Sequence, residues 1–150
     1  MMRIEDVNIR DLEKLMALET EIFKENAFSE KLMKKLILKN TFFLKLENNK
    51  LVNYLIGFII VIKDQIDRAN IINFLIHTNF QYKGLGTLLL ENVINKIKQL
   101  KEIRKVVLNV QESNLGAINL YKKFNFKLNP KIIKNYYQSG ENAFLMELYI

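Results

Sequence analysis

Ile71-Ile72-Asn73-Phe74-Leu75-Ile76 is followed, after four residues, by Gln81-Tyr82-Lys83-Gly84-Leu85-Gly86, and then directly by Thr87 to Leu100. The first block is apolar except for Asn73 and has the length of a buried strand. The last carries Leu88, Leu89, Val93, Ile94, Ile97 and Leu100 on one side at helical spacing. The segment therefore reads as strand, glycine turn, helix. Two of the chain's five glycines stand in that turn. Glycine lets backbone N–H groups approach a ligand with no Cβ in the way. At the start of a helix the first amides lack partners and the dipole end is positive, so the arrangement suits a phosphate. Lys83 adds a charge beside it. The competing reading is a tight turn in which glycine only eases packing. Two better-known phosphate motifs are excluded. The dinucleotide fingerprint needs a glycine where Leu89 stands, and no Gly-Lys-Ser/Thr run of a P-loop follows.

Outward from this segment, the rest of the chain divides readily. Arg3 to Val7 reads as a strand. Asn8 or Asp11 caps a helix whose apolar positions are Leu12, Leu15, Met16, Leu18 and Ile22. Ser29 caps a second helix over residues 31–37. Phe42 to Glu47 and Leu51 to Ile62 form a hairpin about Asn48-Asn49-Lys50. Asp64 to Asp67 is a turn before the strand Arg68 to Ile76. Lys105 to Val110 is a buried strand, and Ser113 or Asn114 caps a helix ending near Phe124. Phe126 to Ile133 and Ala143 to Tyr149 are the last strands. The only proline, Pro130, predicts an edge or a bulge in the first of these two. The order β-α-α-β-β-β-α-β-α-β-β implies a mixed sheet in one domain over residues 1–150.

Composition narrows the function classes. The chain has no cysteine, which removes disulfides, thiol nucleophiles and thiolate metal sites, and its single histidine cannot build a histidine cluster. No metal is expected. The longest apolar stretch, Leu55 to Ile62, is far below a membrane span. No apolar signal core opens the chain, so a cytoplasmic location away from membranes is expected. The net charge is +7, with 19 lysines and 4 arginines spread along the whole chain. They do not interleave with aromatics as a stacking platform for nucleic acid would require, so nucleic acid is not expected as the main partner.

Gln81-Tyr82-Lys83-Gly84-Leu85-Gly86 is similar to the Gln/Arg-x-x-Gly-x-Gly/Ala loop of the GNAT acetyltransferase superfamily, and the element order is that family's order. The resemblance covers essentially the whole chain. It sharpens towards the bacterial ribosomal-protein alanine N-acetyltransferases and their archaeal and eukaryotic N-terminal acetyltransferase relatives. Four segments carry it: residues 73–86; Leu108-Asn109-Val110-Gln111-Glu112-Ser113-Asn114; residues 117–126, which include Tyr121; and Asn135-Tyr136-Tyr137 with Gly140-Glu141-Asn142-Ala143. It implies an α/β (α+β) GNAT fold. That fold is a mixed, mostly antiparallel seven-stranded sheet with four helices on both faces, splayed between the fourth and fifth strands. It implies acetyl-CoA as co-substrate, held by Tyr82, Lys83, Gly84, Leu85, Gly86 and Thr87, by the backbone of Phe74, Leu75 and Ile76, and by Asn114 and Tyr121.

Asn114 and Tyr121 are seven apart on one helix and share a face. Asn114 is either a helix cap or a cofactor contact. Tyr121 is either a core aromatic or, as the resemblance implies, the acid that protonates the departing thiolate. Asn109 departs from the family, where glutamate or histidine stands, and asparagine does not accept a proton usefully. Asn109 is therefore expected to hold a relay water at most. Glu25, in a Glu25-Asn26 pair resembling one in archaeal relatives, is another candidate base. Glu112 reads better as a solvated loop charge, and His77 as structural. Tyr136 and Tyr137 are expected to bind the acceptor, although Asn142 replaces an aspartate usual in that motif. The expected function is acetyl transfer from acetyl-CoA, by direct attack, to the α-amine of a protein N-terminus, with ribosomal proteins among the acceptors. Its alternatives are a GNAT enzyme acting on a small-molecule amine and a non-catalytic acetyl-CoA-binding module.

Overall fold

The structure is a computed structural model that describes residues 2–50 and 54–150. Its strands are β1 (Met2–Asp6), β2 (Phe42–Asn48), β3 (Tyr54–Gln65), β4 (Arg68–Ile76), β5 (Lys105–Gln111), β6 (Lys127–Ile133) and β7 (Ala143–Tyr149). Its helices are α1 (Leu12–Phe23), α2 (Glu30–Leu38), α3 (Leu85–Lys98) and α4 (Leu115–Lys123), with short 3-10 turns at Ile9–Asp11, Lys24–Asn26 and Thr78–Phe80. The expected order is observed. Leu51, Val52 and Asn53 of the expected third strand lie outside the described residues. The turn expected over Asp64 to Asp67 is shorter, because β3 runs on to Gln65 and pairs there with Arg68.

All strands join one seven-stranded sheet in the order β1-β2-β3-β4-β5-β7-β6. Every pairing is antiparallel except β4 with β5. A parallel pair cannot be closed by a hairpin, and α3 makes the crossover. Pro130 sits in β6, an edge strand whose register with β7 shifts between Leu128 and Ile132. Both expectations for the proline hold there, since its missing N–H breaks no ladder bond at such a place.

The alternating strands divide their apolar residues between two cores, so helices cover both faces. On one face Leu15 and Leu18 of α1 and Met33 and Leu36 of α2 pack on Phe58, Ile60 and Leu75. On the other, Leu89, Val93, Ile94 and Ile97 of α3 and Ile118 and Tyr121 of α4 pack on Ile59, Ile71, Leu108 and Met146. The apolar stripe of α3 read from its spacing is its buried face at Leu89, Val93, Ile94 and Ile97, whereas Leu88 is exposed and Leu100 lies beyond the helix's end.

The feature that positions the site is a divergence within the sheet. β4 and β5 pair from Arg68↔Lys105 to Ile71↔Leu108 and no further. Beyond Ile71, β4 remains paired only with β3, through Asn73↔Ile60 to Ile76↔Gly57. Its other edge, from Ile72 to Leu75, has no strand partner among the described residues, while β5 continues along β7. The expected splay between the fourth and fifth strands is present.

Candidate active site

A cavity opens where β4 and β5 part. Glu19, Phe23, Asn26 and Phe28 from α1 and the segment after it form one wall. Residues 71–74 of β4, Asn109 to Gln111 of β5, Asn114, Ala117 and Tyr121 of α4, and Tyr137 complete it. Of the expected site residues, Phe74, Asn109, Asn114, Tyr121 and Tyr137 are thus brought together from four separate elements.

Tyr121 is 5 % exposed, its ring centroid 6.1 Å from that of Phe74 and 5.6 Å from that of Phe126. Its hydroxyl makes no hydrogen bond among the described residues. Burial pushes the phenol well above its ordinary value, and the nearby Tyr137 phenol adds to the effect. Tyr121 is both a core aromatic and a wall of the cavity, so the two sequence readings are compatible. Burial likewise raises the Tyr137 phenol. Asn114 caps α4: its Oδ1 accepts from Ala117 N–H at 3.1 Å. The capping reading holds for the oxygen, and Nδ2 has no acceptor among the described residues.

Asn109 Oδ1 is buried and has no hydrogen-bond partner among the described residues. A buried orphan acceptor is costly unless a ligand or water supplies a donor. Glu25 is exposed on the Lys24–Asn26 turn and is not among the cavity walls. The carboxylate in the wall is Glu19, with no accessible surface. Its Oε2 accepts from Phe28 N–H at 2.8 Å and its Oε1 from Asn73 Nδ2 at 2.7 Å. Burial raises its pKa above the usual carboxylate value, opposed by these two hydrogen bonds. Neither Glu19 nor Asn73 is among the expected site residues, although each carries a signal in the sequence. Glu19 interrupts the apolar face of α1 set by Leu15, Leu18 and Ile22, and Asn73 is the one polar residue in the apolar run of β4.

The glycine turn stands at the far end of the β4 edge. Gly84 is the N-cap of α3, with φ +78°, and Tyr82 also has positive φ, +61°. The first paired amide is Leu88 N–H, which donates to Gly84 O at 3.1 Å. Those of Leu85, Gly86 and Thr87 find no acceptor among the described residues, and Lys83 stands exposed beside them. Gln81 Nε2 ties the turn to Ile76 O at 2.9 Å. The two glycines serve different ends. A Cβ on Gly84 would meet nothing within 4 Å, so that glycine is needed for its backbone conformation. A Cβ on Gly86 would lie 3.3 Å from Leu120 Cδ2 and 3.6 Å from Phe74 Cζ, so the absent Cβ there makes room for the protein's own packing rather than for a ligand.

The loop between β6 and β7 contributes one residue to the cavity wall. It carries Tyr136, which is exposed, and Tyr137, which reaches the wall; their rings meet edge-on at 4.9 Å. Asn142 fixes the loop's base, its Oδ1 accepting from Asn135 N–H and its Nδ2 donating to Glu112. His77 is structural: Nδ1 accepts from Asn79 N–H at 3.1 Å, capping the Thr78–Phe80 turn, and Nε2 lies 3.2 Å from Tyr54 Oη. No group of residues suited to a metal ion occurs among the described residues, and none of their helices is long and apolar enough to cross a membrane.

Residues 9–126 match the acetyltransferase (GNAT) family. An N-alpha-acetyltransferase of Sulfolobus acidocaldarius is 39 % identical over 79 residues, which are 53 % of this chain and 46 % of that protein. A spermine/spermidine N(1)-acetyltransferase of Bacillus subtilis is 33 % identical over 75 residues, 50 % of this chain and 47 % of that protein. The matched part is thus about half the length of either relative. The crystal structure of the ribosomal-protein-S18-alanine N-acetyltransferase from Escherichia coli superposes with a TM-score of 0.85 at 27 % identity, covering 100 % of this chain and 94 % of that one.

Proposed function

The chain belongs to the acetyltransferase (GNAT) family, and from that premise we propose that it transfers acetyl from acetyl-CoA to the α-amine of a protein N-terminus. The observation that carries this reading is the unpaired edge of β4 beyond Ile71, which ends in a turn of unpartnered amides and borders a cavity walled by Tyr121. A strand edge offers N–H and C=O groups to an amide-bearing ligand as it would to a peptide. Phe74, Leu75 and Ile76 suit the amides of the pantetheine arm. Tyr82, Lys83, Gly84, Leu85, Gly86 and Thr87 suit the phosphates, and Asn114 Nδ2 is a further donor along the way.

The thioester supplies an activated acetyl group. The amine nitrogen forms the new C–N bond, the C–S bond breaks, the nitrogen loses a proton and the sulfur gains one. Tyr121 donates to the departing sulfur. Its phenol holds its proton more tightly than a free one, but burial also disfavours the thiolate, so the two proton affinities rise together. With asparagine at position 109 the wall of β5 supplies no base. A free α-amine has a pKa of about 7.7–8.0, so roughly a tenth is already neutral at pH 7. The chain has no cysteine for a thiol acyl-enzyme, which favours direct attack.

Tyr137 in the cavity wall, on the loop that also carries Tyr136, favours a peptide acceptor, and a ribosomal protein is one such acceptor. The similarity to a polyamine acetyltransferase keeps a small amine as the second reading. CoA release from acetyl-CoA, measured against a panel of N-terminal peptides and spermine, tests both. Acetylation of the peptide α-amine supports the first reading, and turnover of spermine alone supports the second. Calorimetric binding of acetyl-CoA without turnover of any amine would leave a binding module.

A further inference from the structure

Asn73 and Asn109 stand on the two diverging strands and both line the cavity. Asn73 is 8 % exposed. Its Nδ2 is committed to Glu19 Oε1, and that contact fixes which way the carboxamide points, since a carboxylate can only accept. Asn73 Oδ1 is left with no donor among the described residues, and Asn109 Oδ1 is buried with none. The cavity therefore holds two carboxamide oxygens that lack donors, one from each side of the split. A neutral primary amine carries two N–H bonds and one lone pair. Two acceptors satisfy both N–H bonds and leave the lone pair free for attack.

We propose that Asn73 and Asn109 form a cradle for the acceptor's primary amine, each taking one N–H bond, and that Glu19 is a positioning residue that keeps Asn73 turned with its oxygen towards the amine. The proposal deepens the acyl-transfer reading and rests on it. Glu19 has no accessible surface and acts only through its two partners. It also braces the loop at Phe28, so its role in orientation must be separated from a merely structural one.

The substitution Glu19→Gln makes that separation. Glutamine keeps one carbonyl oxygen, enough for Phe28 N–H. Its amide then faces Asn73, which must turn its own oxygen to glutamine and its NH2 into the cavity. An acceptor becomes a donor aimed at another donor. The double variant E19Q/N73D restores an acceptor on both sides, because an aspartate at position 73 accepts from the glutamine and from the amine.

The test uses the full chain, acetyl-CoA, an alanyl pentapeptide and its N-methylalanyl analogue, which has one N–H bond fewer. Binding of each peptide to the protein loaded with CoA is measured by calorimetry at about pH 9.5, where both amines are neutral, beside turnover and acetyl-CoA affinity. The cradle requires the primary amine to bind at least tenfold tighter than the N-methyl analogue in the wild type. It requires Asn109→Leu and Glu19→Gln to reduce that preference to less than threefold with acetyl-CoA affinity unchanged, and E19Q/N73D to restore it. Equal binding of the two peptides to the wild type, absence of binding by either, or a preference that survives both single variants overturns the cradle. If Glu19→Gln fails to fold, Asn109→Leu alone decides. A preference that behaves as required without acetyl transfer leaves the cradle standing and removes the catalytic reading.

Discussion

Asn26 and Ser139, 113 residues apart, exchange two hydrogen bonds: Asn26 Nδ2 donates to Ser139 Oγ at 3.1 Å, and Ser139 N–H donates to Asn26 Oδ1 at 3.0 Å. One side chain thus ties the turn after α1 to the loop between β6 and β7, at the cavity that Asn26 and Tyr137 both line. Asn26→Ala removes both bonds, which are solvent-exposed although Asn26 itself is half-buried. We expect a stability loss of no more than about 1 kcal/mol. The peptide KM should rise roughly fivefold, about 1 kcal/mol of acceptor binding, with calorimetric acetyl-CoA affinity unchanged. A peptide KM equal to the wild type would show that this tie does not hold the acceptor.

Tyr121→Phe keeps the packing against Phe74 and Phe126 and deletes one hydroxyl. If that hydroxyl serves the departing sulfur, kcat falls at least tenfold, about 1.4 kcal/mol of transition-state stabilisation. Acetyl-CoA affinity should barely change. Wild-type turnover would return Tyr121 to a purely structural role.

The two glycines of the turn predict different phenotypes. Gly84 holds φ +78° in open space, so Gly84→Ala is strained by roughly 1–2 kcal/mol without a clash. It should weaken acetyl-CoA binding by reorienting the amides that follow. Gly84→Asn, a residue that tolerates this region, should retain most of the affinity. Gly86→Val instead intrudes on Leu120 and Phe74 and should cost about 1–3 kcal/mol of stability by overpacking. Calorimetry and urea melts separate the two. Equal acetyl-CoA affinity in wild type, Gly84→Ala and Gly84→Asn would remove the phosphate site.

The pH profile of kcat/KM should follow the acceptor amine, rising through pH ~8 to a plateau. Burial raises the phenols of Tyr121 and Tyr137 above 10, so no descending limb is expected below that pH. Asn109→Glu places a carboxylate on the wall of β5 and should raise activity near neutral pH. A wild-type inflection well below the amine's pKa would show that an enzyme group already serves as base.

Glu19 makes a stability prediction of definite sign. Its folded pKa is raised above 4.5 by burial, so its contribution is fully present below pH 4.5 and declines as pH rises through the folded value. Glu19→Gln does not titrate there. The stability of the wild type relative to Glu19→Gln should therefore be greater at pH 4 than at pH 7, as read from urea melts. A difference that grows with pH would mean that the hydrogen bonds from Phe28 and Asn73 outweigh desolvation.

Local rules in the sequence determined most of the architecture. Apolar spacing placed α1 and α3, Ser29 capped α2 as expected, Pro130 marked an irregular edge strand, and the glycine turn marked the approach to α3, which starts at Leu85, two residues before the expected Thr87. Each depends on neighbours within a few residues, which is why each could be read without coordinates. The chemistry of the cavity depends on contacts between distant segments, and only the tertiary structure decided it. Whether Gly86 faces ligand or core depended on Leu120, a residue of another helix. Glu25 and Glu19 lie six apart, and their spacing alone does not say which is buried. The packing of α1 turned Glu19 inward to Asn73 on β4 and left Glu25 in solvent, because a carboxylate without accessible surface persists only where donors from two other segments meet it.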